Sequence, residues 1–393
     1  MIRTGIGFIL VLLTGCSTAS THSFVYTDLA YKPKEDTTHP ESVSPQELKE
    51  DLDVLVYALT SAYAGKQFLP EGEYEKLISS LKGIEEIKST SDFCKRVGEF
   101  FSKVSDRHLS AWLADQKCGD ENGLWKAPSR NSFKPKDSKK FWDVSLVKKQ
   151  GRTFLTISVL KFVDHSDPRW SGFMDSLKKN VKRSDAIILD LRGNSGGDDS
   201  MGLVLAEYLS GQEVPWPYSP IWNSATPEAL QLELNWVERG RVSYLPGKVP
   251  LYIQSRYDEL LKKIEDSKSG KLSHYEEKER PDRTFDPTKG YPRPIYILMD
   301  QQCLSSCEST IDYFEHHPRV KRVGQNTGGY LHFGNVGDLF LPHSHFEVHL
   351  GTSYFAYKDG RFLEKKGIEP VIPVPESADA FDFAVQDFLK IRQ

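Results

Sequence analysis

Asp190-Leu-Arg-Gly-Asn-Ser-Gly-Gly197 directly follows the apolar run Ala186-Ile-Ile-Leu189. A second stretch, Cys303-Leu-Ser-Ser-Cys-Glu308, follows Ile295-Tyr-Ile-Leu-Met299 in the same way. Each pair predicts a buried strand, a sharp turn of small residues and the start of a helix. Such turns direct backbone N–H groups, and in the second stretch a serine hydroxyl, toward one point above the strand ends. Acyl transfer needs these parts, a nucleophile on a tight turn and amide donors for an oxyanion.

Strand and helix patterns alternate on both sides of the two turns, which predicts a largely parallel α/β core. The strand pattern begins at 154–159, and helical stretches follow near 169–181 and over 199–209. Residues 212–290 interrupt the alternation. This insertion is compatible either with a lid over a substrate cleft or with a surface extension that has no role in function.

The part before this core is predicted to be a helical N-terminal subdomain over residues 42–125, with the core extending over 126–393. Ser44-Pro-Gln-Glu47 is a capping box with proline at the first helical position. Leucines at helical spacing follow it, and the last predicted helix runs into Asp106-Arg-His108. Residues 126–140 are basic and rich in proline and serine, which predicts an exposed loop.

The N-terminus has the features of a signal peptide over residues 1–15, with a positive charge before an apolar run too short to span a bilayer. Leu13-Thr-Gly-Cys16 resembles the bacterial lipobox, which implies cleavage before Cys16 and lipidation of that residue. The alternative is an ordinary secretory signal with a chance cysteine. Ser17 favours, by the same resemblance, an envelope lipoprotein anchored in the outer membrane and facing the periplasm. Residues 16–41 are polar and predict a tether.

Composition limits the partners. A formal net charge of -4 over 393 residues gives no electrostatic reason to expect nucleic acid. After the signal peptide no segment approaches eighteen apolar residues, so the lipid on Cys16 is the predicted membrane attachment. Four further cysteines permit the disulfides Cys94–Cys118 and Cys303–Cys307, with free buried thiols as the alternative.

No cofactor is predicted. Cys303 and Cys307 with the downstream pair His316-His317 match no structural zinc spacing, so no metal is expected there. The glycine cluster at 193–197 lacks both the lysine of a phosphate-binding loop and the spacing of a dinucleotide-binding turn.

Ser305 has two interpretations, the N-cap of a helix or a catalytic nucleophile. If Ser305 attacks a carbonyl group, the N–H of Ser306 lies beside the oxyanion, and a second donor comes from Gly196 or Gly197. His108 is the candidate base because a helix end can project a side chain into a cleft. The alternative is a surface histidine stabilised by the helix dipole.

In this order, the motifs resemble those of the S41 family, the tail-specific and C-terminal processing serine peptidases. The resemblance spans about residues 45–375, and its five segments are Asp106-Arg-His108, 190–197, 305–308, 324–328 and Gly367-Ile-Glu-Pro370. It implies a ClpP/crotonase-like core and peptide or protein substrates. It also implies Ser305 as nucleophile, with an oxyanion hole formed by Ser306 and a glycine of the pair Gly196 and Gly197.

The resemblance is to one branch of that family. The processing branch takes its base from a lysine just after Thr-x-Gly, whereas Thr327-Gly328 is followed here by Gly329-Tyr-Leu331. The chain is more similar to the branch of tricorn and the retinoid-binding-protein modules and shows no PDZ domain. This implies His108 as base, with Glu308 or Glu364 as an orienting group. The family's closing Pro-Asp is Pro370-Val371 here.

The prediction is therefore a lipid-anchored envelope serine peptidase. Two alternatives stay open, a non-catalytic lipoprotein that binds peptides or envelope fragments on the same fold, and an esterase or hydratase on the same core.

Overall fold

The computed structural model describes residues 23–32, 43–84, 86–113, 116–119, 141–163, 167–245, 247–276, 285–286 and 288–391. The predicted signal peptide, Cys16, most of the tether and the loop at 126–140 lie outside the described residues. Within those ranges, no helix combines the length and the apolar character needed to cross a membrane.

Helices come first in the described chain, and strands and helices then alternate over about residues 152–324. The helices are α1 (Pro45–Ser61), α2 (Gly65–Phe68), α3 (Glu73–Lys82), α4 (Thr90–Ser102), α5 (Pro168–Asn180), α6 (Asp199–Ser210), α7 (Pro227–Val242), α8 (Leu251–Lys268), α9 (Ser306–Asp312) and α10 (Ala380–Ile391). The strands are β1 (Ser110–Leu113), β2 (Gln116–Lys117), β3 (Trp142–Lys149), β4 (Arg152–Val159), β5 (Ala186–Asp190), β6 (Ile221–Asn223), β7 (Tyr275–Glu276), β8 (Ile295–Met299), β9 (Val320–Gly324), β10 (Phe333–Phe340), β11 (Glu347–Tyr354) and β12 (Ile372–Pro373).

The core sheet has the strand order β12-β9-β8-β5-β4-β3. Strands β4, β5, β8, β9 and β12 are parallel, and β3 pairs antiparallel at the edge. Every residue of β5 and β8 is buried. One face packs under α5, α6 and α9, and α10 covers the other. The predicted α/β core is confirmed, and its central strands are continuously apolar because both faces are covered.

A second sheet connects the N-terminal part to the core. Its order is β2-β1-β11-β6-β7, and β10 also pairs with β11. Strand β1 lies antiparallel to β11 with Ser110 opposite His349. Helices α1, α3 and α4 pack with this sheet around one apolar cluster. The N-terminal part therefore contributes two strands, β1 and β2, as well as the predicted helices.

The start of α1 follows the predicted capping box. The Ser44 hydroxyl accepts the Glu47 N–H at 3.2 Å, and the Ser44 N–H donates to the Glu47 carboxylate at 2.8 Å. Both permitted disulfides are formed, with Cα–Cα distances of 4.9 Å for Cys94–Cys118 and 5.3 Å for Cys303–Cys307.

The insertion at 212–290 contains a pair of packed helices, α7 and α8, together with the short strands β6 and β7. Helix α7 lies against β10 and contacts the first described residues through Asn235, whose side chain bonds the Leu29 carbonyl at 2.8 Å. The insertion is thus joined to the second sheet rather than projecting away from the molecule.

Candidate active site

The two small-residue turns meet at the carboxyl edge of the core sheet. Asp190 at the end of β5 lies opposite Leu298 in β8, so both chains leave the sheet side by side. The Leu304 N–H donates to the Asn194 carbonyl at 3.0 Å. A Cβ atom at Gly196 would lie 3.0 Å from the Cβ of Ser305, so the glycine turn packs directly against the serine.

Ser305 has an unusual backbone conformation. It precedes α9 with φ 54° and ψ -121°, in a region that residues with a side chain rarely adopt. Backbone strain of this kind costs about 1–3 kcal/mol and is found mainly at functional sites. The Cys303–Cys307 disulfide brackets the residue on both sides.

Glu308 holds the Ser305 turn in place. Its buried carboxylate accepts the Ser305 N–H at 3.0 Å, and it also accepts the N–H groups of Gly329 and Tyr330 at 2.8 and 2.7 Å. The Thr327 hydroxyl donates to the same group. Burial raises the pKa of Glu308, while these donors act in the opposite direction. Glu308 therefore orients the main chain of the serine.

The main-chain N–H groups beside Ser305 differ in whether they already donate a hydrogen bond. The Gly196 N–H already donates to the Asn194 side chain at 2.8 Å. Within the described part of the chain, the N–H groups of Gly197 and Ser306 have no hydrogen-bond acceptor. The Ser306 hydroxyl donates to the Gly197 carbonyl at 2.6 Å, which ties the two turns together. Gly197 and Ser306 thus present the available donors.

His108 lies two residues before β1. Its main-chain N–H donates to Asp106 at 2.7 Å, and its ring stands edge-on to the Tyr330 ring with the centroids 5.1 Å apart. The ring Nδ1 is buried and has no hydrogen-bond partner among the described residues. Burial lowers the pKa of His108 to about 3, and nearby His349 and Lys117 act in the same direction. The imidazole is therefore neutral at pH 7, the form that can accept a proton.

Two buried carboxylates flank this ring. One oxygen from each of Asp106 and Glu364 and one ring nitrogen of His108 all lie within 4.8 Å of one another. Glu364 accepts the N–H groups of Leu331 and His332 at 3.0 and 2.9 Å, and Asp106 accepts the Tyr63 hydroxyl at 2.8 Å. Burial raises the pKa of Glu364, and the neighbouring Asp106 raises it further.

The predicted residues form two groups joined by one loop. Ser305, Ser306, Gly196 and Gly197 are one group, while His108 and Glu364 are the other. Tyr330 connects them, because its N–H bonds the Glu308 carboxylate that holds Ser305, and its ring contacts His108.

Several supporting residues were not predicted to have a role. They are Tyr63, Asn194 and Tyr330, together with the carboxylate of Asp106. For Asp106 and Asn194 the sequence carries a signal, because they lie in two segments of the resemblance, Asp106-Arg-His108 and 190–197. Lys365, adjacent to Glu364, donates to the Ser102 carbonyl at 3.2 Å, toward the end of α4.

Comparison with known proteins agrees with this architecture. The model of peptidase family S41 matches residues 154–374. A putative peptidase from Parabacteroides merdae ATCC 43184 aligns with a TM-score of 0.55 at 12% identity, covering 88% of this chain and 98% of its own. Mature CPAF in complex with lactacystin aligns with a TM-score of 0.54 at 14% identity, covering 88% and 97%. At these identities the two structures show a shared fold.

No curated protein matches the chain in sequence. The matched region contains both small-residue turns, Glu308 and Glu364, whereas His108 lies before it. The mixed α/β architecture with two sheets agrees with the structural neighbours. Since the family model covers more than half of the 393 residues, the chain belongs to peptidase family S41.

Proposed function

We propose that the protein is a serine peptidase that hydrolyses peptide bonds, with Ser305 as nucleophile and His108 as general base. One observation carries the proposal. Ser305 sits in a strained backbone conformation against a glycine turn, and the N–H groups of Gly197 and Ser306 are available beside it. Acyl transfer uses this arrangement, in which the serine before a helix has a strained backbone and nearby N–H groups have no acceptor among the described residues.

In the proposed reaction, the Ser305 hydroxyl attacks the peptide carbonyl carbon, and His108 takes the hydroxyl proton directly or through a relay. The tetrahedral oxyanion accepts hydrogen bonds from the N–H groups of Ser306 and Gly197. The Gly196 N–H already donates to the Asn194 side chain and is not counted as an oxyanion donor. The role of Gly196 is to leave room beside Ser305, since it has no side chain. Each oxyanion donor is typically worth about 3 kcal/mol of barrier.

The second half of the reaction uses the same groups. The intermediate collapses, the peptide C–N bond breaks, and His108 returns the proton to the leaving amine. A water molecule then attacks the acyl-serine ester with His108 again as base, which releases the acid product and restores Ser305.

Glu364 is proposed to orient His108 and to stabilise its protonated form. Its carboxylate lies beside the ring, and three main-chain N–H groups hold it there, from Arg107, Leu331 and His332. A buried carboxylate facing one ring nitrogen leaves the other nitrogen to exchange the proton with serine. Glu308 has the different role of holding the Ser305 turn.

The location is part of the proposal. We infer lipid attachment at Cys16, a tether over 16–41 and an envelope position in the outer membrane facing the periplasm. We also infer a division of the chain into an N-terminal subdomain over 42–125 and a catalytic core over 126–393. The two disulfides are compatible with the envelope location, because such bonds persist in oxidising compartments.

A fluorophosphonate probe, which labels activated serines, tests the function. We expect wild type and Ser195→Ala to be labelled, since Ser195 is exposed in the adjacent turn, and Ser305→Ala to stay unlabelled. A folded wild type that does not react would instead favour the non-catalytic peptide-binding lipoprotein. Turnover of short acyl esters without turnover of any peptide would favour the esterase.

A further inference from the structure

Three potential metal ligands converge around His108, in the group that Tyr330 joins to the Ser305 turn. They are Asp106, His108 and Glu364, and one ligand atom from each lies within 4.8 Å of the other two. Both carboxylates are 2% exposed, so water screens their charges poorly. The three side chains come from two distant segments, the turn before β1 and the loop that follows β11.

The hydrogen bonds that the two carboxylates accept from described residues come from neutral donors. The carboxylates accept N–H groups and the Tyr63 hydroxyl, and within the described ranges neither forms an ion pair with lysine or arginine. Lys365 interacts electrostatically with both carboxylates, but its Nζ atom donates to a main-chain carbonyl of α4 instead of bonding either of them. The buried Nδ1 of His108 has no partner among those residues. Two buried acids and an unpartnered imidazole nitrogen together favour a cation.

We propose that Asp106, His108 and Glu364 bind a divalent transition-metal ion, with Zn²⁺ as the best fit, and that the bound ion blocks His108 as a base. The inhibition rests on the proposed function, whereas the binding does not. Imidazole nitrogen and carboxylate oxygen are typical Zn²⁺ ligands, and three protein ligands leave a fourth position for water. Bonds of about 2.1 Å place tetrahedral ligand atoms about 3.4 Å apart, so the cluster contracts on binding.

Inhibition follows from the chemistry of the ring. A neutral imidazole binds the metal through a nitrogen lone pair, and the cation then disfavours a second positive charge on the same ring. His108 would therefore no longer accept the Ser305 proton, although no covalent bond has changed. Removing the metal restores the base.

A second His-carboxylate cluster provides a matched control. Asp338, Glu347 and His349 also bring three ligand atoms within 4.8 Å of one another. Arg239 forms ion pairs with both of those carboxylates, and His349 Nε2 lies 2.6 Å from Glu347. The positive charge is already present there, so this cluster has less to gain from a metal.

The binding test uses the full chain, without a histidine tag, in a Ser305→Ala background that removes any dependence on turnover. Isothermal titration with Zn²⁺ should show one equivalent bound, and visible absorption of Co²⁺ should report tetrahedral coordination. Adding His108→Ala or Glu364→Gln should weaken binding at least about tenfold, whereas adding His349→Ala should leave it unchanged. Circular dichroism and melting temperature identify any variant that has not folded, and Asp106→Asn then replaces it.

The outcomes separate the two claims. Absence of Zn²⁺ binding, or binding lost only with His349→Ala, would overturn the site. Zn²⁺ should also slow fluorophosphonate labelling of wild type at Ser305, and a chelator should restore it; binding without this slowing would overturn the inhibition. If wild type is never labelled, the proposed function fails, and the inhibition fails with it, but the metal site is still decided by titration.

Discussion

Ser305 shows how a single residue's conformation can matter more than its chemical type. The sequence was compatible with a helix cap or a nucleophile. The structure adds a left-handed φ of 54° at this serine and a close contact from Gly196, whose own φ is 94°. A side chain at position 196 would crowd the turn that carries the proposed nucleophile.

Replacing Gly196 with alanine should therefore impair the site. The new Cβ would lie 2.8 Å from the Leu304 carbonyl oxygen and 3.0 Å from the Ser305 Cβ. We expect fluorophosphonate labelling to slow by about 10²-fold, because small misplacements of reacting groups are that costly. Gly172→Ala is the control, since no atom lies within 4 Å of its Cβ position in helix α5. Equal labelling rates for the two variants would contradict this account.

His108→Ala tests the base at the same scale. Loss of general base catalysis should reduce peptide turnover by about 10²–10⁴-fold. The melting temperature should change little, because the buried Nδ1 of the ring has no hydrogen-bond partner among the residues that the structure describes. Turnover at the wild-type rate would place the base elsewhere.

At the scale of elements, α9 and its preceding turn are held by covalent and buried polar contacts. The Cys303–Cys307 disulfide joins the turn to the first turn of α9, with Ser305 between its ends. The other disulfide, Cys94–Cys118, joins α4 to the turn directly after β2 within the N-terminal part. The two bonds should therefore affect different properties of the protein.

Removing each disulfide by double alanine substitution tests this difference. Loss of Cys303–Cys307 should slow labelling of Ser305 by about tenfold, because the strained turn gains freedom to relax. Loss of Cys94–Cys118 should leave the labelling rate unchanged and lower the unfolding free energy by about 3 kcal/mol, since it closes the longer loop. Fluorophosphonate labelling measures the first effect, and urea unfolding measures the second. Slower labelling only after loss of Cys94–Cys118 would contradict the separate roles of the two disulfides.

Asp312 at the end of α9 should make stability depend on pH. It is buried against the Tyr218 and Tyr357 hydroxyls, and burial raises its pKa to about 7 from 3.8. Between these values the folded protein holds a proton that the unfolded chain has lost. The stability contributed by the protonated acid is therefore present below pH 4 and is lost as pH rises toward 7.

Comparison with Asp312→Asn isolates that effect. The difference in unfolding free energy, wild type minus variant, should fall by at least about 1 kcal/mol between pH 4 and pH 7. Urea unfolding at several pH values measures it. A difference that rises with pH would mean that Asp312 is ionised in the folded protein.

At the scale of the whole molecule, the proposed site depends on the N-terminal part and the core being one body. Strand β1 pairs with β11, which fixes the turn containing His108 against the loop that carries Tyr330. The first described residues pack on α7 and α8 of the insertion. The chain that leads to Cys16 therefore starts from this side of the molecule.

Cys16→Ser tests the anchor that the sequence predicts. Without a lipidated cysteine, the protein should move from the membrane fraction to the soluble fraction, because the lipid on Cys16 is the predicted attachment. Fractionation followed by immunoblotting measures this. If the variant stays with the membrane, another contact holds the protein there.

Local sequence patterns were sufficient to predict the helices and strands at the centre of the core. Strands β5 and β8, helix α6 and the capping box at Ser44 were predicted within a few residues, since each has a continuous apolar run or a cap signal. Helix α7, strand β3 and helix α10 were not predicted. Strand β3 follows a proline-rich loop, α7 lies in the stretch interpreted as an insertion, and α10 follows the last motif, Gly367-Ile-Glu-Pro370.

The sequence alone was enough to predict the order of motifs, the two buried strands and the small residues that close their turns. These features follow from the pattern of side chains over a few residues. Three features follow from the folded structure instead: Glu364 lies beside His108, Glu308 holds Ser305, and the Gly197 N–H has no acceptor among the described residues. The reason is distance along the chain: the Arg107 N–H bonds a carboxylate 257 residues away. No local pattern specifies such a contact, which depends on how both sheets pack.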